Sequence, residues 1–230
     1  MKRLDEESED VFFGRNKFAF DFLGNEALSG KVVLDIGCGF GWLERKASAV
    51  KCAKIIGIDI DEENIQRLIA ENTFAEVSFL KASAIDLPFK EESFDTVVSL
   101  EVMEHIPKGK ERKYFHEAYR VLKKGGTFCL STPNDHVVAK LLDPAWVLIH
   151  HRHYKVEDVL RFAESAGFSV EKCELRGGLG ELIGGLNMYF SKWVLRRRML
   201  FEGLFRLWQN REFQRIGFSG IFLKLRKPYG

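Results

Sequence analysis

The feature that most constrains this chain is an apolar stretch that carries an acid and opens into three alternating glycines. The stretch is 32–36, its acid is Asp35, and the glycines are Gly37, Gly39 and Gly41. About twenty residues later, a second apolar stretch at 55–58 ends at Asp59. The order of strand, glycine loop, helix, strand and acid predicts a βαβ unit that holds a nucleoside-bearing cofactor.

The glycine spacing favours a nucleoside over a dinucleotide. The dinucleotide fingerprint needs its third glycine where this chain has Trp42, and a large indole there opposes close packing of helix on strand. No Gly-Lys-Ser/Thr sequence follows, so a P-loop is not predicted. An enzyme that binds NAD or a nucleotide sugar is therefore the disfavoured alternative. A second alternative is a non-catalytic partner protein that binds the cofactor without an acceptor pocket.

Strands and helices alternate along most of the chain. Strands are predicted at 32–36, 55–58, 77–80, 94–100, 127–131, 168–175 and 219–226, and helices at 11–28, 42–50, 62–72, 110–122 and 157–166. Lys123 and Lys124 have the character of a basic last helical turn, followed by glycine stops. The alternation predicts an α/β, doubly wound, mostly parallel sheet that helices cover on both faces.

The same pattern predicts four parts of the chain. Residues 1–29 are a tail and a capping helix, and 30–176 form the cofactor-binding core. Residues 177–218 interrupt the alternation and are interpreted as a helical insertion. Residues 219–230 contain the final strand of the core sheet.

Five short segments of the chain together resemble the class I S-adenosylmethionine-dependent methyltransferases. They are Asp35–Gly41, Gly57–Asp59, Leu87–Phe89, Ser93–Val98 and Leu122–Gly126. The resemblance covers about residues 30–175 and includes the ubiquinone-pathway enzymes. It implies a Rossmann-like sheet of seven strands with an antiparallel last strand. It also implies S-adenosylmethionine as the cofactor and S-adenosylhomocysteine as the product.

The resemblance assigns parts of the cofactor to residues of this chain. Asp35 would help to hold the amino group through the loop, Asp59 would accept hydrogen bonds from the ribose hydroxyls, and Ile60 would pack on the adenine. The methionine part would be lined by the loop residues Gly37, Cys38, Gly39 and Gly41.

Three further cofactor positions follow from the same resemblance. Ser83-Ala84 stands where many relatives have Asp-Ala, which implies a weaker or water-mediated adenine contact. Leu100, at the end of the fourth strand, would also border the cofactor. Arg15 lies in a stretch similar to an N-terminal helix whose arginine approaches the cofactor carboxylate in some relatives. The alternative for Arg15 is a solvated surface side chain.

Acidic and histidine side chains follow the fourth strand, where a parallel sheet binds its ligands. In a helical turn, Glu101, Glu104 and His105 would share a face. Three interpretations are open, ranked in this order: a structural Glu–His pair, acid–base catalysis with His105 as the base, and a divalent metal site. The metal site is implied by resemblance to ubiquinone-pathway and small-RNA 3′-end methyltransferases, and it needs a further ligand from the strip 150–153. The metal site is therefore the least favoured of the three interpretations.

His153 belongs to that strip and precedes the helix at 157–166. With Tyr154 it resembles a stretch that lies near the substrate pocket of family members, which makes it a candidate catalytic residue. The alternative is a contact at the entry to the helix.

The insertion is strongly amphipathic. It is predicted to form one helix, or two that break near Gly203, and 181–209 could contact a membrane or a lipid. The alternatives are a lid over a lipophilic substrate and packing on the domain itself or on a second subunit of a homo-oligomer. The apolar positions are Leu182, Leu186, Tyr189, Trp193, Leu200, Leu204 and Trp208. The polar positions are Asn187, Lys192, Arg196, Arg198, Glu202 and Arg206.

Composition bounds the partners and the compartment. A net charge of +2 gives no global field for nucleic acid, so no nucleic-acid partner is expected. The four cysteines include no CxxC pair, which indicates reduced thiols in a cytosolic protein. A secretory signal and a transmembrane run are not expected. We expect a cytoplasmic enzyme, peripheral to the inner face of a membrane, that methylates a small acceptor, with O-methylation ahead of C- or N-methylation.

Overall fold

The computed structural model describes residues 12–143, 151–196 and 199–229. Seven strands form one sheet in the order β3-β2-β1-β4-β5-β7-β6. β7 runs antiparallel to both β5 and β6, and the other pairs are parallel. This confirms the predicted sheet and its antiparallel last strand. The strands are β1 Val32–Ile36, β2 Lys54–Asp59, β3 Val77–Lys81, β4 Phe94–Leu100, β5 Leu122–Pro133, β6 Ser169–Arg176 and β7 Gly220–Arg226.

Eight α-helices lie within the described ranges. They are α1 Gly14–Leu23, α2 Trp42–Ala49, α3 Glu62–Glu71, α4 Glu111–Val121, α5 Val137–Leu142, α6 Val156–Ser165, α7 Leu179–Trp193 and α8 Glu202–Glu212. The side chain of Asp61 accepts from the Asn64 amide and caps α3, as predicted. Across the described helices, none combines the length and the apolar character needed to cross a bilayer.

The central strands of the sheet are buried on both faces. Phe94, Phe115 and Phe128 belong to the larger core cluster, which joins the sheet to α4 and α6. Leu28 and Leu43 belong to a second cluster that joins the sheet to α2. Each such fully buried side chain stabilises the fold by about 1.5–3 kcal/mol. Covered faces explain why the central strands are continuously apolar in sequence.

Two predicted helix ends are wrong. α1 ends at Leu23 rather than at 28, because Gly24 takes a φ of 78° and a 3₁₀ turn, Asn25–Ala27, follows. α4 ends at Val121, so Lys123 and Lys124 belong to β5 and not to a last helical turn. Burial of Leu122 starts the strand early, and the Lys123 ammonium binds Asp95 at 2.9 Å. Val11, predicted to begin the first helix, lies outside the described residues.

The insertion contains two helices, α7 and α8, separated by residues 194–201. Gly203 lies inside the first turn of α8 rather than at the break. Asn187 was expected on the polar surface, but its amide donates to the Leu200 carbonyl at 2.6 Å and lies between the helices. Arg198 lies outside the described residues. The division of the chain into four parts stays a prediction.

Candidate cofactor site and active site

The strand order reverses between β1 and β4. β2 and β3 lie on one side of β1, whereas β5 lies on the far side of β4. Ligands of open parallel sheets bind beyond the carboxyl ends of the strands at such a reversal. The glycine loop follows β1 and the segment 101–105 follows β4, so the two candidate segments lie at this point.

The glycine loop presents backbone rather than side chains. The amides of Gly37 and Cys38 both donate to the Ile58 carbonyl, at 2.7 and 3.0 Å, which ties the loop to β2. Gly37 has a φ of 78°, and a Cβ there would collide with Val102. Gly39 has no atom near its would-be Cβ, so its backbone borders open space. A ligand can therefore approach this loop closely.

Asp59 binds the glycine loop at the end of β2. One carboxylate oxygen accepts from the Gly39 amide at 3.2 Å, and the other accepts from the Asp61 amide at 3.0 Å. A carboxylate oxygen has two acceptor sites, so each one can also accept from a ligand hydroxyl. Ile60 follows with 71% of its surface exposed. Gly41, in the left-handed region, ends the loop and begins α2.

A pair of carboxyl groups lies beneath the loop. Asp35 of β1 and Glu44 of α2 are both buried, and they interact with each other. Burial raises the pKa of both, and the Glu44 oxygens have no other polar partner among the described residues. The pair therefore retains at least one proton at neutral pH. The Cys38 side chain also lies beneath the loop and packs against Ile65, so only its backbone borders the cleft.

Three predicted cofactor residues have side chains engaged elsewhere. Ala84 is buried in the larger core cluster. The Ser83 hydroxyl accepts from the Ile85 amide at 3.4 Å within its own turn. Leu100 ends β4 and packs partly buried against two core clusters. A contact from these positions to a ligand would have to come mainly from the backbone or from the Ser83 hydroxyl.

Arg15 is not the solvated side chain that the alternative interpretation predicted. Its guanidinium binds Glu101, and its Nε donates to Glu181 of α7 at 2.6 Å. Burial lowers the pKa of Arg15, but the two carboxylates outweigh it and raise the pKa overall. Glu101 also accepts from the Ser131 hydroxyl at 2.7 Å. Arg15 therefore joins α1, α7 and the segment after β4.

The expected common face of Glu101, Glu104 and His105 is wrong. Glu101 takes a left-handed conformation with a φ of 57°, and a short 3₁₀ turn, Met103–His105, follows. This conformation directs Glu101 towards Arg15. Glu104 and His105 instead meet His151.

Glu104, His105 and His151 form the second half of the site. Glu104 is buried; its Oε2 accepts from the Thr132 hydroxyl at 2.9 Å, and its Oε1 lies 3.6 Å from His151 Nε2. The imidazole rings of His105 and His151 lie 4.9 Å apart. Burial lowers the pKa of the His151 ring, but the hydrogen bond to Asp143 and the neighbouring Glu104 carboxylate raise it to about 9 overall.

His105 has the opposite shift. Burial lowers its pKa, and the neighbouring Glu104 offsets this only partly. At neutral pH His105 is therefore neutral beside a protonated His151. His105 is also exposed, so its ring is accessible from solvent.

His153 has its two ring nitrogens occupied. Nδ1 lies 3.0 Å from the Asn134 carbonyl and Nε2 lies 2.9 Å from Asp143. Its side chain is 2% exposed. This geometry favours the structural contact over direct catalysis. His150, of the same strip, lies outside the described residues.

Two residues that support the site were missed by the sequence analysis. Arg152 donates to the carbonyls of Met103 and Glu104 at 3.1 Å and so holds the 3₁₀ turn. Glu181 holds Arg15. Both contacts join residues at least 48 positions apart, and no local pattern indicates such pairs.

The donor set fits a divalent cation. Glu104, His105 and His151 offer ligand atoms that lie within 4.8 Å of one another, and so do Asp143, His151 and His153. Glu104 Oε1 is buried without a hydrogen-bond partner. Mixed imidazole and carboxylate ligands suit ions such as manganese.

Comparison with known proteins agrees with this geometry. Residues 34–130 match the methyltransferase domain family. The ubiquinone biosynthesis O-methyltransferase of Idiomarina loihiensis is 31% identical over 66% of this chain and 68% of its own length. The chain belongs to the class I S-adenosylmethionine-dependent methyltransferases. This membership decides against the dinucleotide-binding alternative.

Two further proteins, one compared by sequence and one by structure, are similar to this methyltransferase chain. A "Probable S-adenosylmethionine-dependent methyltransferase" of Mycolicibacterium smegmatis is 29% identical over 71% of the chain and 61% of its own length. The chain thus matches about three fifths of that relative. An S-adenosylmethionine-dependent methyltransferase structure from Mesorhizobium loti superposes with a TM-score of 0.60 over 87% of this chain and 92% of its own, at 19% identity. At that identity the likeness concerns the fold alone.

Proposed function

We propose that this chain transfers the methyl group of S-adenosylmethionine to a small, lipophilic acceptor, with oxygen as the favoured acceptor atom. The observation that carries the proposal is the hydrogen bond from the Gly39 amide to Asp59, which joins the glycine loop to the carboxylate that we propose to bind the ribose. The bound sulfonium would supply an already activated methyl group. The chain's task is to align a nucleophile and exclude water, which contributes about 7–11 kcal/mol in favourable cases.

His105 is the proposed proton acceptor for a hydroxyl nucleophile. A base must be deprotonated at working pH and accessible to the hydroxyl. His105 meets both needs, because burial lowers its pKa and its ring is exposed. Arg152 and Thr132 would act as positioning residues, since they hold the turn and the Glu104 carboxylate.

A divalent cation is the second way of activating the hydroxyl. Glu104, His105 and His151 would hold it, and the unpartnered Oε1 of Glu104 favours this candidate. A single His105 nitrogen cannot accept the proton of the hydroxyl while it binds the cation, so the two roles of this nitrogen exclude each other. Removal of metal therefore separates them.

The lipophilic acceptor is inferred from the insertion. Arg15 connects Glu181 of α7 to Glu101, so α7 borders the site, and much of its surface is apolar and exposed. Peripheral contact of 181–209 with the inner face of a membrane would deliver such an acceptor. Self-association through this surface is the alternative. The cysteines are free and three of them are buried, which suits a reducing, cytoplasmic setting.

Transfer of a labelled methyl group from S-adenosylmethionine to a panel of lipophilic alcohols and phenols tests the proposal. His105→Ala should lower the rate about 10²-fold or more, without changing the affinity for S-adenosylhomocysteine. His116→Ala is the matched control, because this histidine is exposed on α4. Label found only on nitrogen or carbon acceptors would overturn O-methylation, and an unchanged rate in His105→Ala would overturn the base.

A further inference from the structure

The two helices before the last strand expose a large apolar surface. We call α7, α8 and the residues between them, 179–212, the helical hairpin. Within its described residues, twelve large apolar side chains are at least 36% exposed. Trp193 is 69% exposed and Leu204 is 66% exposed. Monomeric soluble proteins rarely leave contiguous patches of this kind without a partner.

The helices of the hairpin pack antiparallel. At one end, the Gly180 amide donates to Glu212 at 2.8 Å, so the start of α7 meets the end of α8. At the other end, the Leu200 amide donates to the Ser191 hydroxyl at 3.2 Å. Gly180 and Gly184 let the helices approach closely, because a Cβ at Gly180 would press on Trp208.

The exposed stripe of each helix lies on the same face of the hairpin. The exposed residues Leu179, Ile183 and Leu204 each immediately precede a residue that meets the other helix, namely Gly180, Gly184 and Phe205. Neighbouring residues of a helix are rotated by about 100° around its axis, so the exposed residue is offset from the contact residue by the same angle and in the same sense in α7 and α8. Two antiparallel helices are related by a two-fold axis perpendicular to the plane that contains them. Positions with the same offset therefore lie on the same face of the pair. The exposed residues are Leu179, Ile183 and Phe190 on α7, and Leu204 and Trp208 on α8.

The hairpin also carries a net positive charge. Residues 179–212 contain six basic and three acidic side chains, a net charge of +3, whereas the whole chain carries +2. Two of the acids are engaged inside the protein, Glu181 with Arg15 and Glu212 with the backbone amides of α7, and the third, Glu202, pairs with Arg206 of the hairpin. After all three acids are counted, the hairpin keeps a net positive charge of +3.

We propose that the apolar face of the helical hairpin docks on an anionic lipid bilayer. A segment of net positive charge with an exposed apolar face that includes tryptophan suits the boundary between headgroups and acyl chains. A two-fold contact with a second copy would instead set this charge against itself. The inference rests on the peripheral contact proposed above and names its lipid chemistry, and its test requires no turnover.

Vesicle flotation tests the docking surface with the full chain. Vesicles of phosphatidylcholine alone are compared with vesicles that also contain phosphatidylglycerol. The chain should bind the anionic vesicles at least about tenfold more strongly, and added salt should weaken the binding. Trp193→Glu and Leu204→Glu should each lower the partition constant about tenfold or more. Val170→Glu is the matched control, because Val170 is 40% exposed on the edge strand β6.

Each remaining outcome decides against docking. Equal binding to both vesicle types would overturn the charge argument, and an equal loss in Val170→Glu would overturn the assignment of the face. A dimer that dissociates in Trp193→Glu would identify a second copy as the occupant. Calorimetry with S-adenosylhomocysteine on the same samples separates the two proposals: absent vesicle binding with intact cofactor binding overturns docking alone.

Discussion

Replacing Glu44 by glutamine tests the carboxyl pair beneath the glycine loop. Burial raises the pKa of both Glu44 and Asp35 above the values that hold in the unfolded chain. The stabilisation from such a pair is fully present below the unfolded pKa values and is lost as pH rises through the folded ones. The wild-type chain should therefore become less stable from about pH 4 to pH 8, and Glu44→Gln should reduce that loss.

The magnitude follows from Asp35. Its pKa is raised from 3.8 to about 7, a difference of about three, and one pKa unit corresponds to about 1.4 kcal/mol. Ionising Asp35 alone thus costs about 4 kcal/mol of unfolding free energy above pH 7, and the raised pKa of Glu44 adds to this cost. The glutamine amide can donate to the Asp35 carboxylate, so we expect Glu44→Gln to recover about 1–3 kcal/mol at pH 8. For a chain of this size, each kcal/mol of unfolding free energy shifts Tm by about 2–4 °C.

Urea unfolding and thermal melts at pH 5 and pH 8 provide the assay. The Glu44→Gln variant should equal or trail the wild type at pH 5 and exceed it at pH 8. Glu164→Gln, an exposed change on α6, is the matched control and should show no such dependence. If Glu44→Gln keeps the wild-type pH slope, or is less stable at pH 8, the carboxyl pair does not behave as argued.

Three further perturbations address the second half of the site. Arg15→Met should lower the unfolding free energy, measured by urea unfolding, by about 1–3 kcal/mol, because it leaves two carboxylates unpaired. Adding Glu181→Gln to this variant should recover part of the lost free energy. A double variant that is less stable than Arg15→Met would contradict the network. Methyl transfer should rise with pH with a midpoint below pH 6.5, because the pKa of His105 is lowered. A midpoint above 6.5 would argue against this base. If a cation is held, manganese titration should show a site that His151→Ala abolishes, whereas full activity in EDTA would exclude a metal role.

Much of the fold follows from local pattern. Continuous apolar runs such as 94–100 predict strands buried on both faces, and helices between them require a parallel sheet. The glycine loop and Asp59 were recognisable because backbone chemistry imposes their spacing. Gly24 shows where pattern is insufficient: mixed apolar spacing suggested one helix, but a positive φ at this glycine ended it early.

The rest of the site depends on contacts that no local pattern encodes. The left-handed conformation of Glu101, a non-glycine residue, separates it from Glu104 and could not be inferred from spacing. Arg15 meets its partners on distant segments, and Glu181 belongs to the insertion. The donor set around His151 was anticipated only in outline, because the strip 150–153 had no assigned position relative to the turn.

Calorimetric titration with S-adenosylhomocysteine, with NADH in parallel, examines the proposed cofactor site. The wild-type chain should bind one S-adenosylhomocysteine and no NADH. Asp59→Ala should weaken that binding at least about tenfold, because two ribose hydroxyls lose their acceptor. Asp21→Ala, an exposed change on α1, should leave it unchanged. Binding of NADH without S-adenosylhomocysteine, or unchanged affinity in Asp59→Ala, would contradict the account.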